Sequence, residues 1–187
     1  VIYYPIARDR DQSFFYSNGN LLNLISRTIP FLKGFKKNIQ DINWLGYTAK
    51  DFDRIFLTDL DAGEWKKSVA DMQQKLTDSV IHAAVKRLPP EIYAIDGESI
   101  AEKLISRRNE MTQKAITYYN FISRKVNIIG SNQKEYFKIS NYGAGLQVRV
   151  YERGRGNDTS FIMYNRIFDP SVTKEIRLYG LNDDDVF

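Results

Sequence analysis

The chain has no cysteine and a single histidine, His82. Without cysteine there are no disulfides, no thiolate catalysis and no thiolate-ligated zinc. The compartment stays open on this ground, although many exported bacterial proteins avoid free thiols. With one histidine there is no histidine-rich metal site and no Cys–His catalytic pair. A metal bound by this chain is therefore expected to be a hard cation on oxygen ligands, magnesium or calcium. No run approaches the roughly 18 to 20 uncharged apolar residues that a spanning helix needs. The opening Val1-Ile2-Tyr3-Tyr4-Pro5 has neither an initiator Met nor the basic-then-apolar pattern of a signal peptide. It reads as a strand entered mid-domain, and Asp183-Asp184-Asp185-Val186-Phe187 reads as the approach to another. Both ends fit a piece of a longer polypeptide.

At 187 residues the chain can build one sizeable core or two small ones. The 12 Tyr and 11 Phe predict a core or rim rich in rings. The net charge of +4 is spread over small groups: Lys33, Lys36 and Lys37, Arg107 with Arg108, and Arg153 with Arg155. None is dense enough, or interleaved regularly enough with aromatics, to suit a nucleic-acid groove, so no nucleic-acid partner is expected.

Along the chain, Leu21 to Ile25 predicts a short helix that stops near Pro30, and 31–47 reads as irregular. Helices are expected over Ala49 to Leu57 and Ala62 to Leu76, the second opened by Asp61 and Glu64 in a capping-box spacing. A third runs from Thr77-Asp78 to about Arg87, where Leu88-Pro89-Pro90 stops it. The clearest element is a spine helix from about Glu98 to Arg124, with Asp96-Gly97 as its opening turn. Its stripe is Ile100, Leu104, Met111, Ala115, Tyr118 and Ile122, on a period of 3.6. After Lys125 the period changes to strands near 126–128, 136–139, 146–150, 161–167 and 175–179. Together they predict a five-stranded antiparallel meander. The expected fold class is α+β: a mainly helical domain over 1–125, then a β-meander over 126–187 that belongs to a larger β domain.

The most charge-dense motif is Arg8-Asp9-Arg10-Asp11-Gln12. On an extended backbone Asp9 and Asp11 point one way and Arg8 and Arg10 the other. Two close carboxylates repel unless a cation sits between them, and a divalent metal on a nucleotide's phosphates is such a cation. The bland reading is a self-neutralising exposed turn. Asp53 reads either as a carboxylate orienting Arg8 or Arg10, or as an ordinary helix ion pair. Arg107 and Arg108 interrupt the apolar face of the spine helix, reaching a carboxylate such as Asp9 or Asp11 or snorkelling to solvent. His82, between Ile81 and Ala83, reads as a packed helix histidine. The loop Arg153 to Asp158 reads as a hairpin tip, with an anion-binding backbone as its functional alternative. Gly180 to Phe187 resembles one Gly-Asn-Asp turn of calcium-binding β-rolls but, as a single copy, reads as a solvated acidic turn before a further strand.

Tyr4-Pro5-Ile6-Ala7-Arg8-Asp9-Arg10-Asp11-Gln12-Ser13-Phe14-Phe15 resembles the "PIPRDRDQAF" segment of large surface-associated bacterial proteins. Those proteins combine a calcineurin-like metallophosphoesterase region with an outer-membrane β-barrel of the surface-antigen type. The resemblance continues through Phe52 to Leu57, Leu76 to Ile81, Arg87 to Tyr93, Arg107-Arg108, Tyr118-Tyr119 and Thr173 to Gly180. Within that family the Arg-Asp-Arg-Asp segment looks like the metal-binding Asp-x-Asp of CotH-like and HipA-like atypical kinases. The resemblance implies Asp9 and Asp11 as magnesium ligands, Arg8 and Arg10 beside the nucleotide, and magnesium with ATP in the intact protein. It also implies a catalytic loop upstream of Val1, so the chain alone is expected to be inactive and holds no catalytic residue of its own. It further implies an exported protein, periplasmic or at the outer membrane and cell surface. The partners it implies are the other domains of the same polypeptide, with membrane contact only through a domain outside this chain. The alternative is a non-catalytic connector between a phosphoesterase domain and a membrane β-barrel.

Overall fold

A helix starts where a side chain can satisfy its first orphan N–H groups, and the helical part of this chain shows it twice. Asp61 accepts from the N–H of Glu64 at 2.9 Å, and Glu64 accepts in return from the N–H of Asp61 at 2.7 Å. This reciprocal pair opens the 14-residue helix Ala62–Lys75. Thr77 then caps Asp78–Val85, its hydroxyl accepting from the N–H of Val80. The computed structural model describes residues 13–16, 19–26, 29, 34–57, 59–153 and 161–187. Its elements, in chain order, are α1 (Asn20–Ile25), α2 (Ile42–Leu45), α3 (Lys50–Phe56), α4 (Ala62–Lys75), α5 (Asp78–Val85), α6 (Pro90–Ile92) and α7 (Glu98–Ile122). Five strands follow: β1 (Lys125–Ile129), β2 (Glu135–Tyr142), β3 (Gly145–Glu152), β4 (Ile162–Phe168) and β5 (Glu175–Tyr179).

The fold class is α+β, as the period change at Lys125 indicated. Three local expectations are corrected. The stretch 31–47 holds the short helix α2. Asp96-Gly97 is not a turn: Tyr93–Gly97 is one π-helical segment that joins α6 to α7 without a break. Pro90 at the first turn supplies the preset φ that starts this helix. Gly97 is needed for packing, because a Cβ there would stand 2.4 Å from the Tyr93 ring. Third, the strands do not form one five-stranded meander. β2, β3 and β4 are antiparallel in that order, while β1 pairs with β5 in parallel, Lys125 opposite Glu175 through Ile129 opposite Tyr179. Five-residue strands, buried in part (β1) or not at all (β5), read alike in either pairing, so periodicity could not separate the two.

The described chain divides into two compact units, each made of two stretches. The first takes Val1–Leu45 and Ala70–Lys114; the second takes Gly46–Val69 and Ala115–Phe187. Residue 125, where the sequence period changes, lies inside the second. The core of the first joins Phe35 to Ile81 and Val85 of α5 and to Ile100 and Ala101 of α7. In the second, Val126 and Ile128 of β1 pack with Phe137, Val148, Val150 and Phe168 of the antiparallel sheet, and Ile176 and Leu178 of β5 join them. The alternation of Val148 and Val150 inward with Arg149 and Tyr151 outward is what closes this core. The last residues add a parallel bridge: Val186 sits beside Tyr136, and the Phe187 and Phe137 rings stack at 4.7 Å.

Replacing Asp61 with Ala removes the acceptor of the α4 capping box. Stability should fall by about 1 kcal/mol, read by urea denaturation, with Asp61→Asn close to wild type.

Candidate functional site

Arg8, Asp9, Arg10 and Asp11 lie outside the described residues, as do the hairpin-tip residues 154–160. Two other arrangements gather functional side chains, one in each unit.

In the first unit, residues 34–39 run along α7 and are tied to it at three points. Arg107 Nε donates to the carbonyl of Lys36 at 3.0 Å, Glu110 accepts from the N–H of Ile39 at 2.8 Å, and Lys37 pairs with Glu102 at 3.1 Å. This run places the Phe35 ring, 9 % exposed, against α7, and its N–H donates to the carbonyl of Phe15 at 2.7 Å. Phe14 meets Phe35 edge to face at 5.1 Å. Beside these rings lies a cavity of about 340 Å³, walled by Phe14, Tyr16 and Phe35 on one side and by Asp96, Ser99, Ile100 and Lys103 on the other. Lys103 Nζ is 5.8 Å from the centres of both the Tyr16 and Phe35 rings. The Arg107 guanidinium covers Phe35 at 4.4 Å. Burial holds Arg107 below its usual value, with Glu110 opposing the shift. Aromatic faces, one ammonium and the hydroxyls of Tyr16 and Ser99 make a pocket for a planar group carrying negative charge. Asp96 at the same wall disfavours a bare anion and favours one accompanied by a cation.

In the second unit, Arg166 of β4 is 5 % exposed and donates to the Tyr119 hydroxyl at 3.1 Å, with its guanidinium 4.7 Å from the Phe168 ring. Burial drives the phenol of Tyr164 well above its usual range; Arg166 opposes the shift, and Asp59 and Tyr119 add to it. Asp59 is raised above the ordinary carboxylate value of 3.8 by desolvation, against the pull of Arg166 and with a smaller push from Glu64. The hollow next to Arg166 and Arg54 holds only about 10 Å³, too small for a substrate. This cluster is structural in scale; the aromatic cavity has ligand dimensions.

The other side chains that stood out in the sequence resolve into local roles. Asp53 accepts from the Tyr118 hydroxyl at 2.5 Å, with the carbonyl of Gly46 3.1 Å from the same oxygen as an alternative acceptor. Its partner is thus a tyrosine on α7 and not a helix ion pair. Burial first, then the Asp53 hydrogen bond and charge, lift the Tyr118 phenol; Arg54 opposes them. Arg108 does not snorkel: it donates to the carbonyl of Leu76 at 2.7 Å and to Asp78 at 2.6 Å. Arg107 is spent on Lys36 and the Phe35 ring. His82 is partly exposed, 3.9 Å from a carboxylate oxygen of Glu98, and not packed in the core. Among the described residues no three acidic or histidine side chains converge as metal ligands.

Sequence reasoning missed Phe35, Lys103, Asp59 and Arg166. A signal for Lys103 was present: Asp96, Ser99, Lys103 and Arg107 follow one another at three- and four-residue steps, one face of a helix. Scans of protein-family models, and searches among curated proteins and solved structures, return no match to this chain.

Two measurements check these assignments. Tyr118→Phe leaves the part-buried Asp53 carboxylate without its donor, so unfolding in urea should show a loss of about 1–3 kcal/mol. Asp59 takes up its proton more readily folded than unfolded, so its contribution is complete below pH 3.8 and is lost as pH rises through the raised value. Thermal melts should therefore show the Tm of Asp59→Asn gaining on wild type between pH 3 and pH 7.

Proposed function

We propose that this chain is the metal-binding C-lobe of an atypical kinase-like domain in an exported, multidomain bacterial protein, and that it is inactive by itself. In this reading Asp9 and Asp11 hold magnesium on ATP, and Arg8 and Arg10 stand beside its phosphates. The observation that carries the proposal is the aromatic cavity of the first unit. Its wall begins at Phe14, three residues after Asp11 in the chain, and includes an ammonium, Lys103. The lining fits a nucleotide in kind: ring faces for a base and one cation for a phosphate. The carboxylate of Asp96 fits a phosphate whose charge a metal already offsets. When bound, magnesium would neutralise charge on the transferring phosphoryl group. The residues on this chain bind and orient, and an upstream catalytic loop outside it supplies the base.

A second reading, a non-catalytic connector between a phosphoesterase domain and a membrane β-barrel, is favoured by α3. This helix turns Asp53 and Arg54 toward α7 and leaves Phe52, Ile55 and Phe56 outward, 63 %, 54 % and 43 % exposed. The Phe52 and Phe56 rings touch at 4.5 Å. A helix with its polar side inward and its apolar side outward suits contact with other parts of the same polypeptide.

Calorimetry on the intact protein separates the two. Magnesium-dependent ATP binding should vanish in Asp9→Asn and Asp11→Asn and weaken about tenfold in Lys103→Gln, the loss of one charge-assisted contact. Binding indifferent to all three overturns the kinase-like reading. No binding at all, with Phe52→Asp releasing this region from the rest of the polypeptide, leaves the connector.

A further inference from the structure

Glu135 opens β2 with no exposed surface. Its Oε1 accepts from the N–H of Ser131 at 2.9 Å and from the Ser131 hydroxyl. Its Oε2 is equally buried, and no hydrogen-bond donor among the described residues reaches it. The N–H of Glu135 donates to Asp185 Oδ1 at 2.9 Å, which brings a second carboxylate alongside.

Two glycines show where the remaining oxygens lie. Ile129 and Tyr179 are the last register partners of the parallel pair, and Gly130 and Gly180 come next. The N–H of Gly130 donates to the carbonyl of Tyr179 at 2.7 Å. A Cβ on Gly130 would stand 2.5 Å from Glu135 Oε2, and one on Gly180 would stand 1.9 Å from Asp185 Oδ2. Both carboxylates therefore lean over the same end of the β1–β5 pair, one above each strand. Lys134 reaches Asp183 at 3.6 Å and Asp184 at 3.5 Å, and no ion pair among the described residues includes Glu135 or Asp185.

A buried carboxylate oxygen without a donor is costly unless a proton, an organic cation or a metal offsets it. We propose that Glu135 and Asp185 hold a hard divalent cation of the calcium class between the Gly130–Asn132 and Gly180–Asp185 loops. Two carboxylates rather than three acidic or histidine ligands exclude a zinc-like donor set. They suit calcium, which completes its shell with carbonyl, amide and hydroxyl oxygens and water. Ser131, Asn132 and Asn182 supply such groups in the same two loops, and Asn182 already donates to Asn132 at 3.1 Å. The ion would fasten the final segment to β2, where Val186 pairs. The site is built wholly within the second unit and does not depend on the function proposed above.

The test is a thermal melt of chelator-treated protein with calcium chloride titrated at constant ionic strength, magnesium chloride serving as the comparison. Calcium sites of low ligand charge bind at the weak end of the range, about 0.1–1 mM, so Tm should begin to climb there and rise by a few degrees over the next tenfold in calcium. Asp185→Asn should fold, by circular dichroism, and lose the calcium-dependent climb. Glu135→Gln serves as a second variant if it folds. A flat wild-type Tm overturns the proposal, as does a climb of equal size in Asp185→Asn. So does stabilisation by acid in place of calcium, which would mean that the two carboxylates share a proton.

Discussion

The last carbonyls of a helix have no partner inside it, and in this protein guanidinium groups from other elements close them. Arg54 of α3 donates to the carbonyl of Ile122, the final residue of α7, at 3.0 Å. Arg108 of α7 donates to the carbonyl of Leu76, just past the end of α4, and holds Asp78 at the start of α5 with the same nitrogen. Arg107 donates likewise to the carbonyl of Lys36, which lies in the non-helical run 34–39 and not at a helix end. Each bond satisfies a backbone group and joins elements distant in sequence, and each guanidinium is too useful as a fastener to be free for chemistry. This is why the paired arginines of α7 are structural although their charge stood out in the sequence.

How much was legible depended on whether the signal was local. The capping box of α4, the Thr77 cap and the five strand positions follow from neighbouring residues, and the structure has them. The parallel pairing of β1 with β5 depends on what lies between them, which no window of ten residues contains. The π-helical joint at Tyr93–Gly97 was hidden because a glycine after an aspartate signals a turn, whereas here the missing Cβ makes room for a ring one turn back. The aromatic cavity escaped for another reason. Its rings come from 14–35 and its polar groups from 96–103, and only the packing of residues 34–39 on α7 unites them.

The two candidate surfaces obey opposite rules. The cavity of the first unit sets cations against rings, an arrangement that gains from partial desolvation. Helix α3 exposes its rings and turns Asp53 and Arg54 inward, an arrangement that loses unless something covers it. A protein that catalyses and a protein that connects would each keep one of these and have no need of the other.

The β1–β5 pairing carries a kinetic consequence. Glu175 reaches the register position opposite Lys125 only after fifty more residues have been made. At ribosomal rates of about 5–20 residues per second, β1 waits about 3–10 s for its neighbour, with its edge toward β5 unpaired meanwhile. The antiparallel hairpins can zip during that interval, but β5 cannot pair with β1 until residues 175–179 have been made. In a test tube, pairing across so long a stretch of sequence would appear as slow refolding.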